Sequence, residues 1–156
     1  MRTSAGLLLF RRGAGKVEVL LAHPGGPFWA RKDDGAWSVP KGEFVPGEEE
    51  PHAAALREFA EETGSLPDGV GPDLDLGSVR QSSAKTVLCW AREADLDPAT
   101  VVSNEIELEW PPRSGRTIRV PEVDRAEWFD LDAAAVKILA GQRPFLERLA
   151  ALLGTP

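Results

Sequence analysis

Three glutamates in one segment have the residue type and the spacing to hold a divalent metal ion. Glu58, Glu61 and Glu62 lie at positions i, i+3 and i+4 of "REFAEETG", so in a helix their carboxylates would share one face. Like charges at this spacing cost roughly 0.2 to 0.5 kcal/mol per pair, and the negative end of a helix dipole disfavours them further. Mg²⁺ and Mn²⁺ prefer such oxygen ligands. The spacing alone is also compatible with a solvated acidic helix face.

A second acidic group just upstream has a structural explanation. Glu48, Glu49 and Glu50 directly precede Pro51. At the start of a helix the dipole favours each negative charge by about 0.3 to 1 kcal/mol. Arg57, one to two turns later, is placed to engage one of these acids and so fix the preceding loop.

The element that must position the three glutamates is a helix predicted from Pro51 to Thr63. The apolar residues between these ends recur at helical spacing. Pro51 suits the first turn, and Gly64 suits the position just past the end.

Short apolar runs around this helix predict a sheet. We expect a β-hairpin from Thr3 to Ala22 with its turn in "GAGK", and further strands in "SVRQSS", "KTVLCWARE", "EIELEW" and "RAEWFDL". The segment "HPGGPFWARKDDGAWSVPKGE" predicts a long functional loop, and "PDGVGPDLDLGS" predicts a surface connection. Two terminal helices are expected, Asp132 to Leu139 and Pro144 to Leu153. This order of elements predicts a mixed α/β domain with helices packed on a sheet.

Length and charge limit the classes of function. The chain has 156 residues, 42% of them hydrophobic, and a formal net charge of −7, which suggests one domain over residues 1–156 that repels nucleic acid and anionic membranes. The N-terminal apolar run is too short for a signal peptide or a membrane span, so we expect a cytoplasmic protein. The lone Cys89 lies in an apolar run, where a buried strand residue in a reduced compartment is expected.

The segment from Gly42 to Ser65 resembles the Nudix box. That pattern is Gly, five residues, Glu, seven residues, Arg-Glu, an aliphatic or aromatic residue, any residue, Glu-Glu, any residue, Gly, aliphatic, and "REFAEETG" matches its core without a break. Counted from Gly42 the lone glutamate is Glu48, whereas counted back from Arg57 it is Glu49, because this chain has one extra residue between them. Ser65 replaces the last aliphatic position, and we expect Leu66 to cover the core instead.

The resemblance implies a fold and a reaction. The fold would be the Nudix α/β/α sandwich with a mixed β-sheet, and the reaction hydrolysis of a nucleoside diphosphate linked to another group, with Mg²⁺ or Mn²⁺ as cofactor. The metal ligands would be Glu58, Glu61, Glu62 and the carbonyl of Gly42.

The resemblance also assigns catalytic roles. Arg57 would orient the loop by pairing with Glu48 or Glu49, and Glu61 joins it among the expected catalytic residues. Glu58 is the first candidate for the general base. The alternative is a distal acid from the trio that alternates in "NEIELEW", for which a solvated strand face is also open; the trio is Glu105, Glu107 and Glu109.

The flanking segments narrow the substrate class. They are similar to a bacterial, MutT-like Nudix branch described as predicted nucleoside triphosphate pyrophosphohydrolases, and "WSVPKGE" is similar to the W-x-x-P-K-G of enzymes that cleave diadenosine tetraphosphate or diphosphoinositol polyphosphates. The implied substrate is a nucleoside triphosphate or dinucleoside polyphosphate. The alternatives are a nucleoside diphosphate sugar, a diphosphoinositol polyphosphate, or a non-catalytic nucleotide sensor. A homodimer is a further expectation from the family.

Cationic and aromatic residues around the box are the expected substrate contacts. The cations suited to polyphosphate oxygens are Lys41, Arg31 and Lys85, followed by Lys32 and Arg113. The rings that could stack on a base, with core packing as the alternative for each, are Trp37, Trp29 and Phe28. His23 could bond to a base or a phosphate, and Trp110 and Trp128 are expected in the core.

Overall fold

The structure is a computed structural model that describes residues 1–154. Within these residues, one mixed six-stranded sheet has the order β4-β5-β1-β2-β8, with β3 paired to β1, and β6 and β7 form a separate hairpin. The elements are β1 (Arg2–Gly13), β2 (Lys16–Pro24), β3 (Lys41–Glu43), α1 (Pro51–Thr63), β4 (Leu74–Ser82), β5 (Lys85–Glu93), β6 (Glu105–Glu109), β7 (Thr117–Pro121), β8 (Val123–Asp130), α2 (Leu131–Lys137) and α3 (Arg143–Leu153).

The N-terminal hairpin is confirmed. Gly13 pairs with Lys16, and the two residues between them, Ala14 and Gly15, have positive φ values of 53° and 76°. Two successive positive φ angles are typical of the tight turns whose twist matches that of a hairpin. The glycine of "GAGK" at position 15 therefore serves a conformation that side-chain-bearing residues rarely adopt.

Alternate residues of β1 bury against helices on opposite faces of the sheet. Leu8 and Phe10 belong to a core cluster that includes Phe145 of α3, whereas Leu7 and Leu9 pack with Phe59 of α1. Each large apolar side chain removed from water contributes roughly 1.5 to 3 kcal/mol. Helices on both faces of a mixed sheet confirm the predicted α/β/α sandwich.

Helix α1 has the predicted limits. The Glu50 side chain accepts hydrogen bonds from the backbone N–H groups of His52 and Ala53, and Gly64 ends the helix with φ 87°. The buried face of the helix carries Ala54, Ala55 and Phe59 at 0% exposure. Local capping signals at both ends thus define the element that bears the glutamates.

Five details differ from the prediction. Strands β3 and β7 were not predicted, and β4 begins at Leu74, inside the predicted surface connection, because Leu76 points into the core. Leu66 is 38% exposed and does not cover the core. Trp110 is only half-buried and lies outside the core clusters, whereas Trp128 packs against the cluster around Phe59.

Cys89 is a buried strand residue. Its side chain is 0% exposed in β5, and burial raises the pKa of its thiol. No helix within residues 1–154 is both long enough and apolar enough to cross a membrane.

Candidate active site

Strand β3 lies directly against the glutamate face of α1. Gly42 pairs with Ala5 of β1, and a Cβ atom at position 42 would lie 1.8 Å from Oε2 of Glu58. Ordinary non-bonded heavy-atom contacts are about 3.5 Å or longer. Only glycine at position 42 therefore leaves room for the Glu58 carboxylate. The close packing of Gly42 and Glu58 brings the first residue of the box against its C-terminal part.

Arg57 connects the loop to the glutamate face. Its Nε and Nη2 donate to both carboxylate oxygens of Glu49, at 2.8 and 2.9 Å, while Nη1 donates to Oε1 of Glu58 at 2.8 Å and to Oε1 of Glu61 at 3.2 Å. The pairing with Glu49 raises the pKa of Arg57 and lowers that of Glu49. Of the two alternatives left open by the sequence, the structure pairs Arg57 with Glu49, and the exposed Glu48 side chain makes no hydrogen bond within residues 1–154.

Glu62 is the most perturbed acid of the site. It is 7% exposed, and its Oε2 accepts a hydrogen bond from the backbone N–H of Lys41 at 3.1 Å. Burial, followed by the charge of Glu122, raises the pKa of Glu62 to about 8. Burial also raises the pKa of Glu58, against the opposing effect of Arg57. Both carboxylates are thus held where a negative charge is poorly solvated, which is where a cation is most strongly attracted.

Glu122 is the site residue that sequence reasoning missed. It directly follows β7, is half-buried, and its backbone N–H donates to the carbonyl of Asn104 at 2.9 Å. Its charge raises the pKa of both Glu62 and Glu58. In the sequence, Glu122 could be noticed as an acid near the end of the alternating run "RTIRVPEV". The approach of Glu122 to α1, however, depends on tertiary structure.

The predicted distal trio lies elsewhere. Glu105, Glu107 and Glu109 are exposed on the β6–β7 hairpin. The first two lie beside Arg119, and Glu109 accepts hydrogen bonds from the backbone N–H groups of a turn. These acids occupy the solvated strand face that was the alternative interpretation, because the opposite face of the hairpin is apolar.

A cavity of about 460 Å³ opens beside the glutamates. Its charged lining residues are Lys41, Glu62, Lys85 and Glu122. Its aromatic and aliphatic lining includes Phe28, Trp29, Ala36, Leu108 and Val120. Cations and carboxylates at one cavity, next to an apolar wall, suit a ligand that is polyanionic at one end and flat or apolar at the other.

Two predicted substrate contacts do not line this cavity. Trp37 is 1% exposed and packs edge-to-face against Phe129 in the core, with its Nε1 donating to Asp33, so it cannot stack on a ligand. Arg31 is exposed on the loop outside the cavity. Lys41 and Lys85 do line it. Burial and the nearby charge of Lys85 lower the pKa of Lys41 to about 8.

The remaining loop residues divide in the same way. Trp29 and Phe28 line the cavity, and Lys32 lies outside it with its ammonium 4.8 Å from the Phe28 ring centre. His23 is fully buried, with Nδ1 3.0 Å from the Asp124 carboxylate and Nε2 2.7 Å from the Lys32 carbonyl. It therefore fixes the loop rather than contacting a ligand. Arg113 is exposed in a turn.

The carboxylate oxygens of Glu58, Glu61 and Glu62 are the ligand type that divalent cations prefer, although the three groups do not converge on one point. Within residues 1–154, no group of three or more acidic, histidine or cysteine side chains is arranged to hold a metal ion. Nη1 of Arg57 donates to one oxygen each of Glu58 and Glu61. The second oxygen of each, and Oε1 of Glu62, accepts no hydrogen bond among the described residues. Glu58 and Glu62 are buried carboxylates whose pKa values are raised by burial and by neighbouring acids, and a bound cation would relieve this unfavourable charge.

The fold and the site together define a recurrent type of domain. Its features are an α/β/α sandwich, a helix that carries glutamates against a glycine of a neighbouring strand, and a cavity with polar and apolar walls. The NUDIX domain family model matches residues 1–149. The chain therefore belongs to the Nudix family.

Solved structures share the fold. A C. elegans Ap4A hydrolase in a binary complex superposes with a TM-score of 0.63 at 24% identity, covering 99% of this chain and 98% of that chain. The NUDIX domain of Shewanella oneidensis NrtR, complexed with ADP ribose, gives 0.60 at 17% identity, over 97% and 87% of the two chains. The C-terminal domain of mouse MUTYH, in complex with human PCNA, gives 0.61 at 19% identity, over 100% and 92%. No curated protein sequence matches this chain.

Proposed function

We propose that the protein is a divalent-metal-dependent hydrolase that cleaves a pyrophosphate bond in a nucleotide. A nucleoside triphosphate or a dinucleoside polyphosphate is the leading substrate class. The observation that carries the proposal is a cavity that brings together two acids, Glu62 and Glu122, and two lysines, Lys41 and Lys85. Glu58 lies one turn before Glu62 on α1, and the charge of Glu122 acts on both α1 acids. Such charge distributions suit transfer reactions in which negative charge on phosphate oxygens must be neutralised.

Glu58, Glu61, Glu62 and the carbonyl of Gly42 would hold Mg²⁺ or Mn²⁺. When bound, the metal supplies charge neutralisation at the phosphate oxygens and favours ionisation of the attacking water. Arg57 keeps the glutamate face and the preceding loop in register through its two bonds to Glu49. Its role is therefore positioning.

Two lysines would bind the polyphosphate. Lys41 and Lys85 line the cavity with Glu62, and the backbone N–H of Lys41 is already held by the Glu62 carboxylate. The mutual repulsion that contributes to the low pKa of Lys41 is relieved when a polyanion lies between the two ammonium groups. Ligand binding should therefore favour the charged form of Lys41.

Two acids are candidates for the general base. Glu58 remains the first, and its Oε2 accepts no hydrogen bond within the described residues. Glu122 takes the place of the distal acid, because it lines the cavity and none of Glu105, Glu107 and Glu109 does. A Glu122→Gln variant that lowers kcat without changing metal binding would favour Glu122.

The test is product analysis by chromatography after incubation with Mg²⁺. The panel contains nucleoside triphosphates, dinucleoside polyphosphates, nucleoside diphosphate sugars and a diphosphoinositol polyphosphate. The similarity to an Ap4A hydrolase in fold is the reason to include diadenosine tetraphosphate. The Glu62→Gln variant is the test protein and Glu107→Gln the matched control, because Glu107 is exposed outside the cavity.

Metal-dependent nucleoside phosphate products that persist in Glu107→Gln and vanish in Glu62→Gln would support the hydrolase. Nucleotide binding without any product in either the wild type or the variants would contradict it. That outcome would favour the sensor alternative.

A further inference from the structure

A buried carboxamide sets the direction of a hydrogen-bond chain that ends in the cavity. Gln142 is 0% exposed, and its Oε1 lies 3.0 Å from the backbone nitrogen of Val39. A backbone N–H can only donate, so the side-chain atom facing it must be the amide oxygen. The orientation of the Gln142 amide, which density or distance alone often leaves open, is thus determined by its chemistry.

The Gln142 amide nitrogen must then donate at its other contacts. Nε2 lies 3.0 Å from Oγ of Ser38 and 2.9 Å from Oε1 of Gln81. Because an amide NH₂ group only donates, Gln81 must present its oxygen to Gln142. The backbone of Val39 therefore sets the orientation of a second glutamine, 42 positions later in the chain.

The amide nitrogen of Gln81 is left as a hydrogen-bond donor without an acceptor among residues 1–154. The half-buried Gln81 side chain lines the cavity. Ser38 lines the same cavity, but its hydroxyl already donates to the carbonyl of Val39 at 2.8 Å. Gln81 thus offers the cavity a neutral NH₂ group that cannot turn over without losing its bond to Gln142.

We propose that Gln81 determines which base the cavity accepts: its amide donates to an oxygen on the base, so that an oxo-substituted base is preferred to its amino-substituted counterpart. The inference rests on the proposed use of this cavity for nucleotides. Phosphate oxygens have the two lysines as stronger, charged partners. A base amino group facing the Gln81 NH₂ leaves two donors without acceptors, which disfavours the amino-substituted base.

Inosine and adenosine nucleotides test this effect, because they share their sugar and phosphates and differ only at C6, which carries oxygen or an amino group, and at the adjacent N1, which carries a proton only in inosine. The Gln81 variants below separate the contact at C6 from any contact at N1. Dissociation constants are measured by calorimetry for IMP and AMP, which contain no pyrophosphate bond and so report binding independently of turnover. The ratio of kcat/KM for ITP and ATP is measured beside them. We expect the wild type to prefer the inosine nucleotide by roughly tenfold, the value of one well-formed hydrogen bond.

Two variants should reverse the preference by different routes. In Gln81→Glu one carboxylate oxygen still accepts from Gln142, while the other presents an acceptor to the cavity, so the adenosine nucleotide should become the better ligand. Gln142→Glu should turn the Gln81 amide over, because the new carboxylate accepts where the amide donated. Gln81→Leu should bring the ratio close to one. Melting curves establish that each variant is folded, and Gln81→Glu carries the test if the buried Gln142→Glu does not fold.

The outcomes separate the two proposals. Binding of IMP without hydrolysis of any substrate in the panel would contradict the hydrolase and leave the base preference measurable. A wild-type ratio within about twofold of one overturns the role of Gln81. A ratio that is the same in wild type and Gln81→Glu also overturns it, even if both nucleotides bind more weakly, because the amide would then meet a phosphate oxygen.

Discussion

Replacing Gly42 with alanine would place a methyl group on the Glu58 carboxylate. The new Cβ would lie 1.8 Å from Oε2 and 2.0 Å from Cδ of Glu58. Since carbon and oxygen atoms of this kind are separated by about 3.5 Å at contact, the carboxylate must move by roughly 1.5 Å or more. Gly42 does not have a positive φ, so alanine causes no backbone strain there.

The two consequences of this displacement differ in size. The moving group is the end of a flexible side chain, and the loss is about 1 kcal/mol for its hydrogen bond to Arg57. A displacement of about 1 Å at a reacting centre, by contrast, can cost on the order of 100-fold in rate. We therefore expect a large loss of kcat/KM and a small loss of stability.

The assay is metal-dependent product formation on the substrate identified by chromatography, with a thermal melting curve for each protein. Gly13→Ala is the matched control, because a Cβ there meets nothing within 4 Å and Gly13 also lacks a positive φ. Gly13→Ala should keep both activity and melting temperature. Activity of Gly42→Ala within threefold of the wild type would refute the reasoning, since the position of the Glu58 carboxylate would then not matter.

Three further predictions concern the acids and the thiol. Without divalent metal, Glu62→Gln should raise the melting temperature by several degrees at pH 7 and change it little at pH 4.5. The pKa of Glu62 is about 8 in the folded protein and 4.5 ordinarily, so the wild type becomes less stable as the pH rises from 4.5 to 8. At pH 7 the free energy of unfolding has fallen by about 3 kcal/mol, which the uncharged glutamine avoids. Melting curves in EDTA check this, and a pH-independent difference would contradict it. Glu49→Gln should lower kcat/KM by releasing Arg57 while changing the stability little, because the pair is partly exposed. Glu48→Gln, measured in the same activity and unfolding assays, should match the wild type. Cys89 should react with an aromatic disulfide reagent only after denaturation, as it is fully buried; rapid labelling of the native protein would show that β5 opens.

The amino-acid sequence by itself determined the elements that depend on near neighbours. Helix α1 has both its predicted ends, because Pro51, Gly64 and the apolar spacing between them act within a few residues of one another. The N-terminal hairpin is equally local, since its turn needs only two residues of positive φ. The placement of three glutamates on one face of α1 follows from helical periodicity alone.

Only the tertiary structure decided which other groups reach that face. Strand β3 has three residues and pairs with β1 across some 37 positions, so no local pattern marks it. Glu122 directly follows β7 and lines the cavity together with Glu62. Glu105, Glu107 and Glu109 are exposed, a difference set by which hairpin face is buried.

The interior residues show the same division. Trp37 lies in a loop for which the sequence left both base stacking and core packing open, and it is buried against β8 and α2. The orientation of Gln81 depends on Gln142, 61 residues later, and through it on Val39, 103 residues before Gln142. Periodicity and capping signals act over about four residues, whereas these contacts form only when the sheet and both helix layers have packed together. The sequence therefore indicated the acids of α1 but neither Glu122 nor the cavity.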